Sequence, residues 1–100
     1  MQLFVINATP VRVDVDAQEN TKRLAEYASN VATILSEDGL DGFTLEKVQG
    51  YWQGIAEDSF NIKVATDKAD IIRKACAKLR DKYNQDAVML TLPDNTVEFI

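Results

Sequence analysis

Two stretches with helical apolar spacing, separated by a pair of strand-like runs, constrain the fold of this chain more than any other feature. In the first, Leu24, Ala28, Val31 and Leu35 recur at three- and four-residue steps, and Tyr27 and Ile34 widen the stripe. An amphipathic helix is expected from Asn20 or Thr21 to about Glu37, with Asn20 as its N-cap and Gly39 as its terminator. In the second, Ile72, Ala75, Cys76, Leu79 and Tyr83 line one face of a helix that Thr66 or Asp67 can cap. Arg73, Lys74, Lys78, Arg80 and Asp81 lie mostly off that face and read as its solvated surface.

Strand signals fill the spaces around these helices. Leu3 to Ala8 is a short apolar run ending before Pro10, too short for a helix, and reads as a buried first strand. Val11, Val13 and Val15 alternate with Arg12, Asp14 and Asp16, either prolonging that strand or forming an edge. Phe43 to Gln49 reads as a second strand whose alternation slips by one at Val48, which predicts a bulge near Glu46 or Lys47. Phe60, Ile62 and Val64 mark a third, Ala87 to Leu92 a fourth, and Thr96 to Ile100 a last strand after a turn at Pro93, Asp94 and Asn95. The order strand, helix, strand, strand, helix, strand is the split βαβ pattern of an α+β, ferredoxin-like sandwich. The expectation is a four-stranded antiparallel sheet with two helices on one face and a short C-terminal strand. Leu24, Val31, Leu35, Ile72, Cys76 and Leu79 are expected in its core.

A chain of 100 residues, 46% hydrophobic and 27% charged, suffices for one core and not two, so residues 1–100 read as a single domain. The net charge of −5 opposes a phosphate-backbone partner, and no Lys/Arg-Gly-Phe run of an RNA-recognition strand occurs, so no nucleic-acid partner is expected. A Gly-rich phosphate loop is also missing from the sequence. The chain has no histidine, which excludes Ser-His-Asp and Cys-His chemistry and the usual His-containing zinc sites. Asp14, Asp16 and Glu19 only partly match a calcium loop, lacking its central Gly and terminal Glu, so neither metal nor cofactor is expected. One cysteine, Cys76, permits no internal disulfide and fits a reducing compartment. The N-terminus resembles no signal peptide, and no apolar run nears the roughly 18 residues of a membrane span. A cytoplasmic protein without a membrane partner is the expectation.

The stretch from Val48 to Val64 concentrates the candidate site. It holds the only Trp, Trp52, beside Tyr51, two of the four Gly, and the acid Glu57 two residues before Ser59. Read as a hairpin tip between two strands, it is a rigidly mounted place for binding groups. It is also compatible with aromatics that cap a small core and a solvated turn acid. Period two sends Ser59, Asn61 and Lys63 to the open face if Phe60, Ile62 and Val64 face the helices, and Glu57 shares that open side.

From Gly50 to Leu92 the order of features resembles the bacteriophage S-adenosylmethionine lyases, formerly termed hydrolases. The matching parts are Gly50-Tyr51-Trp52, then Glu57-Asp58-Ser59 leading into Phe60-Asn61-Ile62-Lys63-Val64, a helix ending at Leu79 to Tyr83, and Gln85-Asp86-Ala87-Val88-Met89-Leu90. The resemblance implies a reaction without cofactor, in which the substrate's carboxylate displaces its own sulfonium to give homoserine lactone and methylthioadenosine. It implies Glu57 as the catalytic residue, able to hold the substrate ammonium, and Tyr51, Trp52, Ser59, Gln85 and Asp86 as substrate-binding residues. It further implies a homotrimer with sites between subunits, acting against host methylation and restriction in a phage-infected bacterium. Two other functions fit the residues: a non-catalytic phage-type interaction domain inhibiting a host protein, and a ligand-binding module without turnover.

Overall fold

The computed structural model describes residues 1–12 and 14–100, and at Trp52 the backbone alone. Strand β1 (Gln2–Ala8) occupies the centre of the sheet, since its alternation buries Phe4, Ile6 and Ala8 on one face. It pairs antiparallel with β3 (Ile55–Thr66) on one side and β4 (Met89–Thr91) on the other. Beyond β3 lies β2 (Thr44–Trp52), and beyond β4 lies β5 (Val97–Phe99), so the order is β2-β3-β1-β4-β5. The sheet therefore has five strands rather than the expected four. The C-terminal segment joins it fully because Asn95, at φ 69°, closes a turn, and Val88 and Ile100 exchange two backbone hydrogen bonds of 2.9 Å. Glu98 on β5 also accepts from Arg73 at 2.8 and 3.0 Å, which fastens the added strand to the second helix.

Helix α1 (Ala17–Glu37) begins a turn earlier than its apolar stripe suggests. Asp16 is its N-cap, accepting from the Glu19 N–H at 2.8 Å, and Asn20 instead exchanges two hydrogen bonds with the backbone of Arg12. Its end follows expectation: Gly39 at φ 79° donates to Ser36 O, and Leu40 donates to Leu35 O and enters the core. Helix α2 (Ala69–Lys82) starts after Lys68, without a side-chain cap, so neither Thr66 nor Asp67 is its N-cap. The Thr66 hydroxyl accepts from Lys68 N at 3.2 Å and turns the chain into the helix. Val11 and Val15 lie in no strand, because Pro10 ends the ladder, and Val13 lies outside the described residues. Among the described residues no helix is long and apolar enough to cross a membrane.

Sheet and helices meet in one cluster, with Phe60, Ile62, Val64 and Leu90 against Tyr27, Val31, Leu35, Ile72, Cys76 and Leu79. Leu24 packs at its margin, half-buried. Each fully buried aliphatic side chain contributes about 1.5–3 kcal/mol relative to exposure. Burial pushes the Cys76 thiol up to about 12, so it stays protonated and acts as a small apolar group. Cys76→Ala is expected to cost about 1–2 kcal/mol through a small cavity while leaving any activity unchanged. Thermal melting beside a turnover assay checks this, and a selective loss of turnover at unchanged melting temperature would make the thiol functional.

Tyr27 is a second informative core residue. Its ring contacts Phe60 at 4.8 Å and Tyr83 at 5.1 Å between centroids, but its buried hydroxyl has no hydrogen-bond partner among the described residues. Burial raises the pKa of Tyr27, and of Tyr83 in the same direction. Both raised values favour the protonated form in the fold, so their stabilisation is complete below the ordinary tyrosine pKa of about 10 and is lost as pH rises above it. Tyr27→Phe is expected to keep or raise the urea midpoint at pH 7 and to flatten the alkaline decline. A loss beyond about 1 kcal/mol at pH 7 would show that the hydroxyl is bonded after all.

Candidate functional site

Strands β2 and β3 are joined by two residues, Gln53 at φ 51° and Gly54 at φ 78°, the left-handed pair of a type I′ turn. Their register is unbroken from Thr44 opposite Lys63 to Trp52 opposite Ile55. The expected bulge near Glu46 or Lys47 is therefore not formed, and both strands run up to the turn instead of leaving a loose tip. Val48 changes the apolar face because Lys47, 62% exposed opposite Phe60, needs no burial and pairs with Asp58 at 3.8 Å. Pairing of β3 with β1 stops at Phe60, so Val48–Trp52 and Ile55–Ser59 form an arm that projects beyond the central strands.

Register decides which candidate residues meet on this arm. Glu57 lies directly opposite Gly50, which presents no side chain to it. Among the described residues its carboxylate, half-buried, has neither an ion-pair nor a hydrogen-bond partner. Period two places Ser59 and Asn61 on the same face. Ser59 is 3% exposed, and its hydroxyl faces Ala8 O at 3.2 Å and Asn7 Oδ1 at 3.4 Å, so its proton is used within the sheet. Tyr51 pairs with Ala56, one step out of phase with Glu57, and therefore occupies the other face of the arm. It is 68% exposed and its hydroxyl donates to Gln49 Oε1 at 3.2 Å. Within one subunit Tyr51 and Glu57 thus do not share a face, while Glu57 lies on the side of Ser59. The side chain of Trp52 lies outside the described residues.

Gln85 is placed by the end of α2. Asn84, at φ 54°, allows Gln85 N to donate to Arg80 O at 2.9 Å, a capping bond that turns the chain back toward the sheet. The Gln85 amide then donates to Val11 O at 3.1 Å and to Tyr83 O at 3.4 Å, leaving its side-chain oxygen for other donors. Asp86 is exposed beside it and adds to the field that Asp14 sets at Arg12. Arg12 donates to both carboxylate oxygens of Asp14 at 2.6 Å, which holds that carboxyl below the usual carboxylate range, and also donates to Asn84 O. Asp14 and Asp16 are thereby engaged as an ion-pair partner and a helix cap.

These parts gather at one end of the sheet. Asn7, near the end of β1, is flanked by Asn61 on β3 and Met89 on β4, and donates to Asn61 Oδ1 at 2.8 Å. Thr9, just past β1, donates to Asp58 O at 2.5 Å, next to Glu57. Asn7, Thr9 and Arg12 escaped the sequence reading; a Thr preceding Pro at a strand exit is the one local signal that marked Thr9. Two open grooves lie elsewhere, one of about 750 Å³ near Leu3, Phe43 and Lys68 and one of about 410 Å³ near Asn30, Glu37 and Lys78. Neither is lined by Glu57, Gln85 or Asp86.

Fold and site together define a small α+β protein of split βαβ topology in which the Glu57 carboxylate, without a partner among the described residues, and the held Gln85 amide stand at the same sheet end. The sequence model of the S-adenosylmethionine lyase family matches residues 6–100, and the chain belongs to that family. Two solved structures are similar: a phage S-adenosylmethionine lyase in complex with S-methyl-5′-thioadenosine, at TM-score 0.76 and 15% identity, and a phage S-adenosylmethionine lyase in the apo state, at TM-score 0.77 and 17% identity. The alignments cover 98% of this chain and 87% and 86% of those chains. Among curated proteins none matches this sequence.

Proposed function

We propose that this chain is an S-adenosylmethionine lyase that forms homoserine lactone and methylthioadenosine. The methionyl carboxylate oxygen attacks the methylene carbon bonded to sulfur, that C–S bond breaks, and its electron pair passes to sulfur, leaving a neutral thioether. Neither water nor a proton is consumed, which suits a chain without histidine. The protein's task is to hold a folded substrate conformer, and orientation of this kind is worth up to roughly 7–11 kcal/mol. The observation that carries the reading is the family match together with the Glu57 carboxylate opposite Gly50, which has no partner among the described residues. In this reading Glu57 holds the substrate ammonium, a charge-assisted bond, and Gln85 and Asp86 meet polar edges of the substrate. A product-type ligand, S-methyl-5′-thioadenosine, occupies one of the similar structures, which supports the substrate class.

Tyr51 and Trp52 serve best in a site completed by a neighbouring subunit, where an aromatic face contributes about 0.5–2 kcal/mol toward a sulfonium. Such a site, in a homotrimer, also accounts for grooves of the single chain that avoid Glu57. Ser59 then supports the arm from within the sheet. The cellular role that follows is removal of the methyl donor used by host methylation and restriction, in the cytoplasm of a phage-infected bacterium. Incubation with S-adenosylmethionine and chromatography for methylthioadenosine tests the activity. Sedimentation is expected to show an oligomer at micromolar concentration, and a monomer with full turnover would exclude the intersubunit site.

A second reading, a non-catalytic interaction domain inhibiting a host protein, draws on the exposed apolar groups Tyr51, Ile55, Val97 and Phe99. Absence of methylthioadenosine would favour it. Binding of S-adenosylmethionine without turnover would favour the ligand-binding module.

A further inference from the structure

We propose that Thr9 is a positioning residue that couples the two halves of the site, Glu57 on the arm and Gln85 after α2; the catalytic meaning of this coupling rests on the lyase reading above. The need for it arises from Pro10. Continuing the β1–β3 register from Ala8 opposite Phe60 would set Pro10 opposite Asp58, and Pro10 has no N–H to offer the ladder. The Thr9 hydroxyl takes over, donating its proton to Asp58 O at 2.5 Å. Its oxygen accepts in turn from Val11 N at 3.1 Å, and Val11 O is the acceptor for the Gln85 amide at 3.1 Å. A hydroxyl has one proton and two lone pairs, so a single side chain can serve both bonds at once.

The segment that transmits this coupling is held firmly on its far side. Arg12 exchanges hydrogen bonds of 3.0 and 2.8 Å with the Asn20 side chain, and Arg23 donates to both Pro10 O and Tyr83 O at 3.3 Å. Thr9 is thus the link on the β3 side of an otherwise anchored loop, and it acts at the residue adjacent to Glu57. Loss of the hydroxyl frees the start of the arm from β1 without removing any group that would touch substrate.

The test compares Thr9→Val, which keeps the shape and removes the hydroxyl, with Thr9→Ser, which restores it. Thr9→Val is expected to lower kcat tenfold or more with a melting temperature close to that of the parent, and Thr9→Ser to return kcat to within about threefold. In NMR spectra without substrate, Thr9→Val is expected to shift both the Glu57 backbone amide and the Gln85 side-chain amide, and Thr9→Ser to return both toward the parental positions. Parental kcat in Thr9→Val, equal impairment in the two variants, or a shift at only one of the two amides overturns the proposal. If the parent protein makes no methylthioadenosine, the lyase reading fails by itself, and the paired amide shifts alone decide the coupling. Should Thr9→Val not fold, Thr9→Ala takes its place in the same comparison.

Discussion

Glu57→Gln is expected to lower S-adenosylmethionine turnover tenfold or more, a loss of about 1.4 kcal/mol of transition-state stabilisation, with little change in melting temperature. The substitution keeps the side chain's shape and removes only its charge. No ion pair within the described residues depends on that charge, since the cross-strand neighbour is Gly50, so the fold has little to lose. An ordinary surface acid would instead change stability by no more than about 0.5 kcal/mol and leave turnover intact. Chromatographic product assays on variant and parent, both checked for assembly by sedimentation, separate the two outcomes. A variant that folds, assembles and forms methylthioadenosine at the parental rate would remove Glu57 from the site.

The helices and the central strands were legible because burial imposes a period on them. Val31, Leu35, Ile72, Cys76 and Leu79 had to face a core, and Phe60, Ile62 and Val64 had to alternate beneath it. The misjudged features all lie where burial does not act. Helix α1 starts at Ala17 because Asp16 caps it, and its first turn carries no apolar stripe. The arm is strand up to Trp52 and from Ile55, yet Gln49, Ala56, Glu57 and Asp58 give no alternating apolar signal there. The turn pair Gln53-Gly54 is also a less usual choice than Asn-Gly for this hairpin type. Without the turn position the register is undetermined, and a slip of one residue exchanges the faces of Tyr51 and Glu57. Glu57 and Gln85 could be named from the resemblance alone, but the connection between them through Thr9 and Val11 joins strand β3 to two loops and leaves only the Thr-Pro step in the sequence.

Tyr83→Ala is expected to have the largest effect on stability, about 3–5 kcal/mol, the range for truncating a buried aromatic. Tyr83 is 5% exposed and its ring lies edge-on to Tyr27 at 5.1 Å, so removing it opens a cavity beneath both helices. Its hydroxyl accepts from Asn30 Nδ2 at 2.8 Å, joining α2 to α1. Its carbonyl accepts from Arg23 and from the Gln85 amide, so the same residue that closes the core also steadies a proposed substrate contact. A loss of this size is a large share of the roughly 5–15 kcal/mol that stabilises most domains, and denaturant midpoints will register it directly. Turnover per folded molecule should fall as well, because Gln85 loses its support two residues away. Tyr83→Phe separates the two effects: it keeps the ring and the backbone acceptor and removes only the Asn30 bond, for about 0.5–1.5 kcal/mol. Full turnover is expected in Tyr83→Phe, and a matching collapse of activity in both variants would place the hydroxyl, rather than the packing of the ring, at the origin of the effect.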